Sequence, residues 1–400
     1  NPAKDKYQGQ FFEKLIIKKL SSLNNSGLFD LSIDYLEMKR LDLKELGLLK
    51  QLAIGEIDEN INNISAILDS LSLKSLILNK VSFKNGIDEY YYDSIILNNL
   101  KNSSLGELIY KDGIIIGKDD YVEIGLTEIK NLKFNSPKKY INEFDYFEHP
   151  REAFLFFESL ASMKIEDYYQ EIYELNEKII IKIDDSEIKN VRTKKIDNLS
   201  IPVSFNHTTN GLSISSDTND DINYLLTALG YSEFKFDYSI DINWNPGSEI
   251  LSFNFLVGIQ EGADLEIDVK FDDIDFVKLI NDSFSPYISN YVQSEPKIKS
   301  ISVTLIDKGL TLKLLDVYAD EMQMNTNQAI TFLVNQLEDY AVFVESPLTY
   351  KFIYSLQDFL QNPDKLSFLI DPAVPLSYND INSLIANPGL LVELLNMKFE

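Results

Sequence analysis

The chain has 400 residues, 44% hydrophobic and 12% aromatic, ample for a sizeable core in two domains or one elongated one. Its 63 acidic against 37 basic residues give a formal charge of −26, a field that repels phosphate backbones and argues against nucleic-acid binding. It has no cysteine, which removes disulfides, thiolate zinc sites, iron–sulfur ligation and cysteine nucleophiles together.

The first pattern in the chain is Phe11, Leu15, Lys18 and Lys19 at helical spacing, with Phe12, Ile16 and Leu20 beside them. It predicts an amphipathic helix over Tyr7–Leu23, docked on the body of the protein and stopped near Asn24-Asn25-Ser26-Gly27. From Leu31 to Phe134 short strands follow, interrupted by one helix over Ile57–Leu71. A weak repeat runs through this region. Leu76-Ile77-Leu78-Asn79-Lys80-Val81 is echoed by Ile95-Ile96-Leu97-Asn98-Asn99-Leu100, by Leu126–Leu132 and in part by Glu187–Val191. Each copy reads as an apolar strand ending in a polar turn with one more apolar residue. The spacing is irregular, which fits successive strands of a meander rather than a solenoid of fixed period. Gly106, Gly113, Gly117 and Gly125 fall where bends or bulges of a curved sheet would need them.

Residues Glu148–Met163 return to a helical pattern, with Phe154, Phe157 and Leu160 on one face, and His149-Pro150 marks a boundary. A helix through Tyr224, Leu225 and Leu229 takes Asp217 or Asn219 as its N-cap. Phe234, Phe236, Tyr238, Ile240, Ile242 and Trp244 then occupy every second position. Leu251–Val257 and Leu265–Phe271 alternate likewise, with turns at Asn245-Pro246-Gly247 and Glu261-Gly262, so three strands form an antiparallel meander. The last third reads as a strand over Lys299–Ile306 and helices over Asp307–Ala319, Thr326–Phe343 (Thr326 as N-cap) and Pro347–Leu360. A strand over Leu366–Ile370 and a helix over Tyr378–Ala386 follow.

Chemistry is hard to find. The two histidines, His149 and His207, lie far apart and form no zinc spacing, and the glycine-flanked serine elbow is absent. Neither phosphate-cradling glycine motif occurs. Asp217–Asp221 begins like a calcium loop, but Ile222 stands where glycine is needed and Ala228 where a bidentate Glu belongs. Asp264, Glu266, Asp268, Lys270 and Asp272 are the outward positions of one strand. Trp244, the single Trp, sits in an alternating run that makes it core. No run approaches the roughly 18 apolar residues that span a bilayer.

Three segments carry a resemblance: Ser104–Leu132, Leu229-Gly230-Tyr231 with Asp241–Asn245, and Asn362–Asn396. They resemble a family of exported alphaproteobacterial proteins of unassigned function. The resemblance implies a periplasmic or secreted location and no catalytic residues. The start at Asn1 without methionine would be explained by removal of a signal peptide and equally by trimming of the chain.

The expected fold is α+β: long curved antiparallel β-meander sheets with flanking helices and a mainly helical C-terminal third. The expected divisions are 1–150 (helix and curved meander), 151–298 (helix and second meander) and 299–400 (mainly helical, packed on the sheet). The expected function is that of a non-enzymatic exported binding or scaffold protein of the cell envelope. The apolar strand faces outnumber the helices that could cover them evenly, so such a face is covered by helices, by a second sheet or by a ligand such as a lipid or other hydrophobic molecule, the first two being the commoner. A secreted effector or adhesion-like protein acting through protein contacts is the alternative, and a carboxylate-based hydrolase a lesser one. No catalytic, cofactor, metal or ligand-binding residue is assigned from the sequence.

Overall fold

The computed structural model describes residues 9–23, 29–43, 71–134, 157–174, 177–196, 199–216, 220–275, 296–344, 347–384 and 394–399. They fall into two compact units, Asn1–Leu175 with Ile180–Phe205 and Asn176–Ile179 with Asn206–Glu400.

The first unit is an antiparallel meander. Strands β1 (Gly9–Leu23), β2 (Phe29–Leu43), β3 (Leu71–Asn85), β4 (Asp88–Lys101), β5 (Ser104–Ile116) and β6 (Asp120–Phe134) pair in sequence order. The short β7 (Phe157–Ser159) and then β8 (Ser162–Glu174) pair with β6. Strands β9 (Glu177–Ile196) and β10 (Leu199–Ser216) supply residues to both units.

These strands are more than twice as long as an ordinary strand, and a backbone device recurs along them. Arg40, Asn99 and Asn131 (φ 47°, 57° and 50°) are left-handed, and so are Lys19, Lys80, Asp112 and Asp167 (φ 61°, 52°, 48° and 52°). Cross-strand register places them in two lines. Arg40, Lys74, Asn99, Gly106 and Asn131 form one; Lys19, Asp34, Lys80, Asp93, Asp112, Gly125 and Asp167 form the other. Left-handed residues sit on alternate strands of each line. No residue is inserted: Ile33 opposes Val81 and Tyr35 opposes Asn79, with Asp34 and Lys80 facing one another between them. These are kinks, the bends rather than the bulges of the two devices that the glycines suggest in the sequence.

The kinks explain two of those glycines. A Cβ on Gly106 would lie 2.9 Å from Asn99 Cβ, and one on Gly125 only 2.8 Å from Asp167 Cβ. At these two positions the Cβ of the left-handed residue lies over the glycine, whereas Lys74, Asp34 and Asp93 stand at the equivalent places on other strands. The kinks also decode the weak repeat. Lys80, Asn99, Asn131 and Asn190 are its penultimate residues and all are left-handed (Asn190 at φ 56°). Each copy is therefore a kink inside a continuous strand rather than a strand end.

A left-handed residue interrupts the two-residue alternation of side chains. Leu71, Leu73, Leu76, Leu78, Val81 and Phe83 of β3 follow spacings of 2, 3, 2, 3 and 2. Leu76 packs against the buried Leu73 despite the odd separation. The same spacing corrects two helices expected from the sequence. Residues 9–23 are strand β1, in which Phe12, Leu15, Ile17 and Leu20 imitate a helical face. Within Glu148–Met163, the described residues Phe157–Ser159 and Ser162–Met163 are strand. Leu160 and Ala161 lie between those strands, residues 148–156 and the predicted Ile57–Leu71 helix up to its last residue lie outside the described residues, and Leu71 opens β3.

The second unit contains the meander that the sequence announces. After α1 (Asp220–Ala228) come β11 (Phe234–Asn245), β12 (Ile250–Ile259), β13 (Ala263–Asp272) and β14 (Lys297–Asp307), paired antiparallel in order. Apolar rows run straight across, as in Ile240, Phe255, Ile267, Val303 and, on β15 (Lys365–Ile370), Phe368, and the β13–β14 register shifts once, between Lys270 and Phe271. Between β14 and β15 lie α2 (Leu310–Glu321), α3 (Thr326–Val344) and α4 (Pro347–Gln361). The short β16 (Leu376–Ser377), α5 (Tyr378–Leu384) and β17 (Lys398–Phe399) complete it. Helix α2 starts at Leu310, not Asp307. The Asp307 carboxylate instead accepts the backbone N–H groups of Gly309 at 2.8 Å and Thr311 at 2.9 Å. The cap of α3 is Asn325 rather than Thr326. Its Oδ1 accepts the Gln328 N–H at 3.0 Å while Gln328 Oε1 accepts the Asn325 N–H at 2.9 Å, a reciprocal capping box. The N-cap expected at Asp217 or Asn219 lies outside the described residues.

Candidate functional site: an apolar sheet face

With the kinks placed, the first sheet resolves into two unlike faces. Five cross-strand rows from β2 to β6 make up one of them. The first is Leu41, Leu73, Leu100, Leu105 and Leu132; the second is Met38, Leu76, Leu97, Leu108 and Ile129. The third is Leu36, Leu78, Ile95, Tyr110 and Thr127. The fourth is Ile33, Val81, Tyr92, Gly113 and Ile124, and the fifth Leu31, Phe83, Tyr90, Ile115 and Val122. Contacts across both kink lines show that the rows share a side. The first two rows pack in one cluster, and the Tyr92 and Tyr110 rings lie 5.5 Å apart. No charged residue occurs in any row.

The face is covered unevenly: Ile33, Val81 and Gly113 of the fourth row and Val122 of the fifth are buried, as is most of the first row. In the first row Leu73, Leu100, Leu105 and Leu132 are all buried, with Leu160 packed on them. Leu76, Leu78, Ile95, Leu97, Leu108 and Ile129 are only half-buried, and Leu15 and Leu20 of β1 are 36% exposed. With about 3.3 Å per residue and 4.8 Å per strand, the five rows from β2 to β8 cover about 800 Å². Buried residues in the first, fourth and fifth rows take part of that footprint out of solvent.

The opposite face is mixed, with isoleucines such as Ile77, Ile96 and Ile109 among paired polar groups. Glu37 accepts the Tyr35 hydroxyl at 2.5 Å and pairs with Lys39 at 2.7 Å and Lys14 at 3.3 Å. The Lys39 ammonium first, then Tyr35 and Lys14, pull its carboxyl down to about 2. Tyr91 donates to Glu89 at 2.6 Å, and Tyr121 to Glu123 in a bond that pushes the phenol up to about 12. Tyr169 and Tyr173 both donate to Glu171. A polar groove of about 580 Å³ follows the first kink line, with Lys39, Lys74, Lys130, Asn99 and Glu107 among its walls. A smaller hollow of about 260 Å³ near Lys84, Glu89 and Tyr91 contains the buried, unpartnered Oδ1 of Asp30.

Tyrosines of the apolar face behave differently. Tyr92 lies over Gly113, where a Cβ would come within 3.0 Å of its ring. Tyr90 packs on Phe83 at 5.5 Å between centroids. Burial raises the Tyr92 and Tyr110 phenols above the ordinary range, so both remain protonated donors at neutral pH. Tyr168 donates to Gln170 at 2.7 Å.

Residues that the sequence singles out for chemistry are dispersed. His207 stands against Tyr238 at 5.3 Å between centroids and contacts Thr209 at 3.3 Å. His149 and Asp217–Asn219 lie outside the described residues, while Asp220 and Asp221 belong to α1. Of the outward acids of β13, Asp264 pairs with Lys308 at 2.7 Å. Trp244 is core: it is buried and donates Nε1–H to the Ile274 carbonyl at 3.1 Å. Among the described residues no group of three or more His, Asp or Glu is placed to hold a metal ion, and no helix is long and apolar enough to cross a membrane.

Comparison with known proteins bears on the C-terminal part. A family model described as "Uncharacterized protein" matches residues 257–400, from the end of β12 through the helices to the chain end. No curated protein and no solved structure matches the chain.

Proposed function

We propose that this protein is a non-enzymatic, exported binding module of the cell envelope whose first sheet holds lipid acyl tails on its apolar face. The observation that carries the reading is the charge-free face itself. Five rows of mostly Leu, Ile and Val are kept in register by two lines of kinks, with the second and third rows half-buried and buried residues in the first, fourth and fifth. A surface destined only for water would not keep five rows free of charge while the other face of the same strands carries several ion pairs.

Energetics favour a two-tailed lipid. At about 0.8 kcal/mol per buried CH2, a tail of about sixteen carbons with one side on the sheet gains about 6 kcal/mol, a Kd of tens of micromolar. A second tail roughly doubles this, into the nanomolar range, and only such a ligand survives chromatography. The formal charge of −26 disfavours anionic headgroups, so the lipid is zwitterionic or uncharged.

The test is Ile95→Asp, which places a carboxylate in the third apolar row, compared with Ser94→Asp on the mixed side of the same strand. Loss of lipid retention in the first alone supports the reading; equal retention in both removes it. The envelope location follows the resemblance of Ser104–Leu132 and the other two segments to exported proteins, and fractionation of the source cells tests it. A signal confined to the cytoplasm would reject that half of the proposal.

A further inference from the structure

The tyrosines of the first sheet divide by face. On the mixed face Tyr35, Tyr91, Tyr121, Tyr169 and Tyr173 each donate to a carboxylate two residues away on their own strand. On the apolar face the hydroxyls of Tyr90, Tyr92 and Tyr110 have no hydrogen-bond partner among the described residues. None of the three is a buried, unsatisfied oxygen, since the Asp30 carboxylate alone has that status among the described residues. Their hydroxyl oxygens therefore keep some contact with solvent. All three belong to the third, fourth and fifth rows, toward the β3–β4 hairpin, whereas the first row is leucine throughout and closed. A tyrosine at the edge of an apolar surface marks the level where hydrocarbon gives way to polar groups, its ring in the apolar layer and its hydroxyl at the boundary.

We propose that the bound lipid is an acyl ester of glycerol held in one orientation, with its tails toward the leucine row and its ester carbonyls accepting from Tyr92 and Tyr110. This rests on the reading of the apolar face as a lipid site and adds the ligand's linkage and direction. Dimensions agree. From Tyr110 to Leu105 is five residues, about 17 Å at strand rise, and one leaflet of a bilayer is about 15 Å of hydrocarbon. A tail anchored at the phenols ends against the closed row. The headgroup leaves past the exposed, charged turn at Lys118-Asp119-Asp120. The free hydroxyls select the ester because a carbonyl oxygen is a good acceptor and an ether oxygen a poor one.

The experiment uses the full chain, stripped of lipid, and two lysophosphatidylcholines of equal chain length below their micelle thresholds. One is ester-linked and the other ether-linked. Headgroup and tail are the same in both, so a contact of the choline with the aromatic rings cancels. The native protein binds the ester about fivefold more tightly. Tyr92→Phe with Tyr110→Phe, which keeps both rings, brings the ester down to the ether's affinity and leaves the ether unchanged. Tyr35→Phe on the opposite face leaves the preference intact. Equal affinity for ester and ether in the native protein, or a preference that survives the double substitution, overturns this inference while the apolar face stands as a tail site. Binding of neither probe overturns both. Matching circular dichroism and melting of all variants separates loss of recognition from loss of fold.

Discussion

Replacing Gly106 by alanine puts a methyl group 2.9 Å from Asn99 Cβ and 3.1 Å from the Asn98 carbonyl oxygen. Ordinary contacts between such atoms begin near 3.4 Å. The neighbour must retreat by about half an ångström in a strand held on both sides. Overpacking of this kind costs about 1–3 kcal/mol. The kink account makes a sharper claim, because the offending atoms belong to the left-handed residue. Asn99→Gly removes Cβ and the amide and leaves only the Asn98 oxygen in the way. The single change Asn99→Gly is close to neutral, since relief of the left-handed conformation offsets the extra freedom of glycine in the unfolded chain. Gly106→Ala in that background should then lose at least about 1 kcal/mol of its cost. Urea midpoints of the four proteins, followed by circular dichroism with slopes compared, give the coupling. Additivity within about 0.5 kcal/mol would show that glycine at 106 does not answer to the kink.

Other expectations follow from the same geometry. Glu37 titrates near 2 in the folded sheet, below its ordinary value, so its contribution to stability is complete above about pH 4.5 and is lost as pH falls toward 2. Glu37→Gln should therefore flatten the fall of the urea midpoint between pH 5 and pH 2, and an unchanged acid limb would contradict the assignment. Trp244→Phe removes the indole N–H and leaves the Ile274 carbonyl unpaired in the core, a loss of about 1–3 kcal/mol visible in melting. Asn325→Ala at the capping box should cost about 1 kcal/mol, whereas Thr326→Ala should change stability by less; the reverse order would return the cap to Thr326.

How far the sequence reveals this fold depends on whether alternation is intact. In β11–β13 each apolar residue follows its predecessor by two, and the meander is legible down to its turns. In β1 the same kind of strand is misread as a helix, because a kink at Lys19 and another level with Arg40 stretch the spacing to three at intervals. Phe12, Leu15 and Leu20 then fall close to a helical stripe. The repeat of apolar, polar, left-handed and apolar residues is visible in the sequence. Its meaning is not, since Asn and Lys are common in turns as well as in left-handed positions. Gly106 and Gly125 need the register to be understood: each matters only because a left-handed residue stands opposite. The apolar face is foreshadowed by an excess of apolar strand residues. Its location, and the unpartnered phenols on it, required knowing which side each residue takes after a kink.

The most direct measurement is mass spectrometry of an organic extract from the natively purified protein, against a mock purification from the same cells. A stoichiometric, two-tailed, ester-linked glycerolipid, zwitterionic or uncharged and absent from the Ile95→Asp extract, is the result expected. An extract with no lipid above the mock level, from a folded preparation, would contradict the assignment of the apolar face to acyl tails.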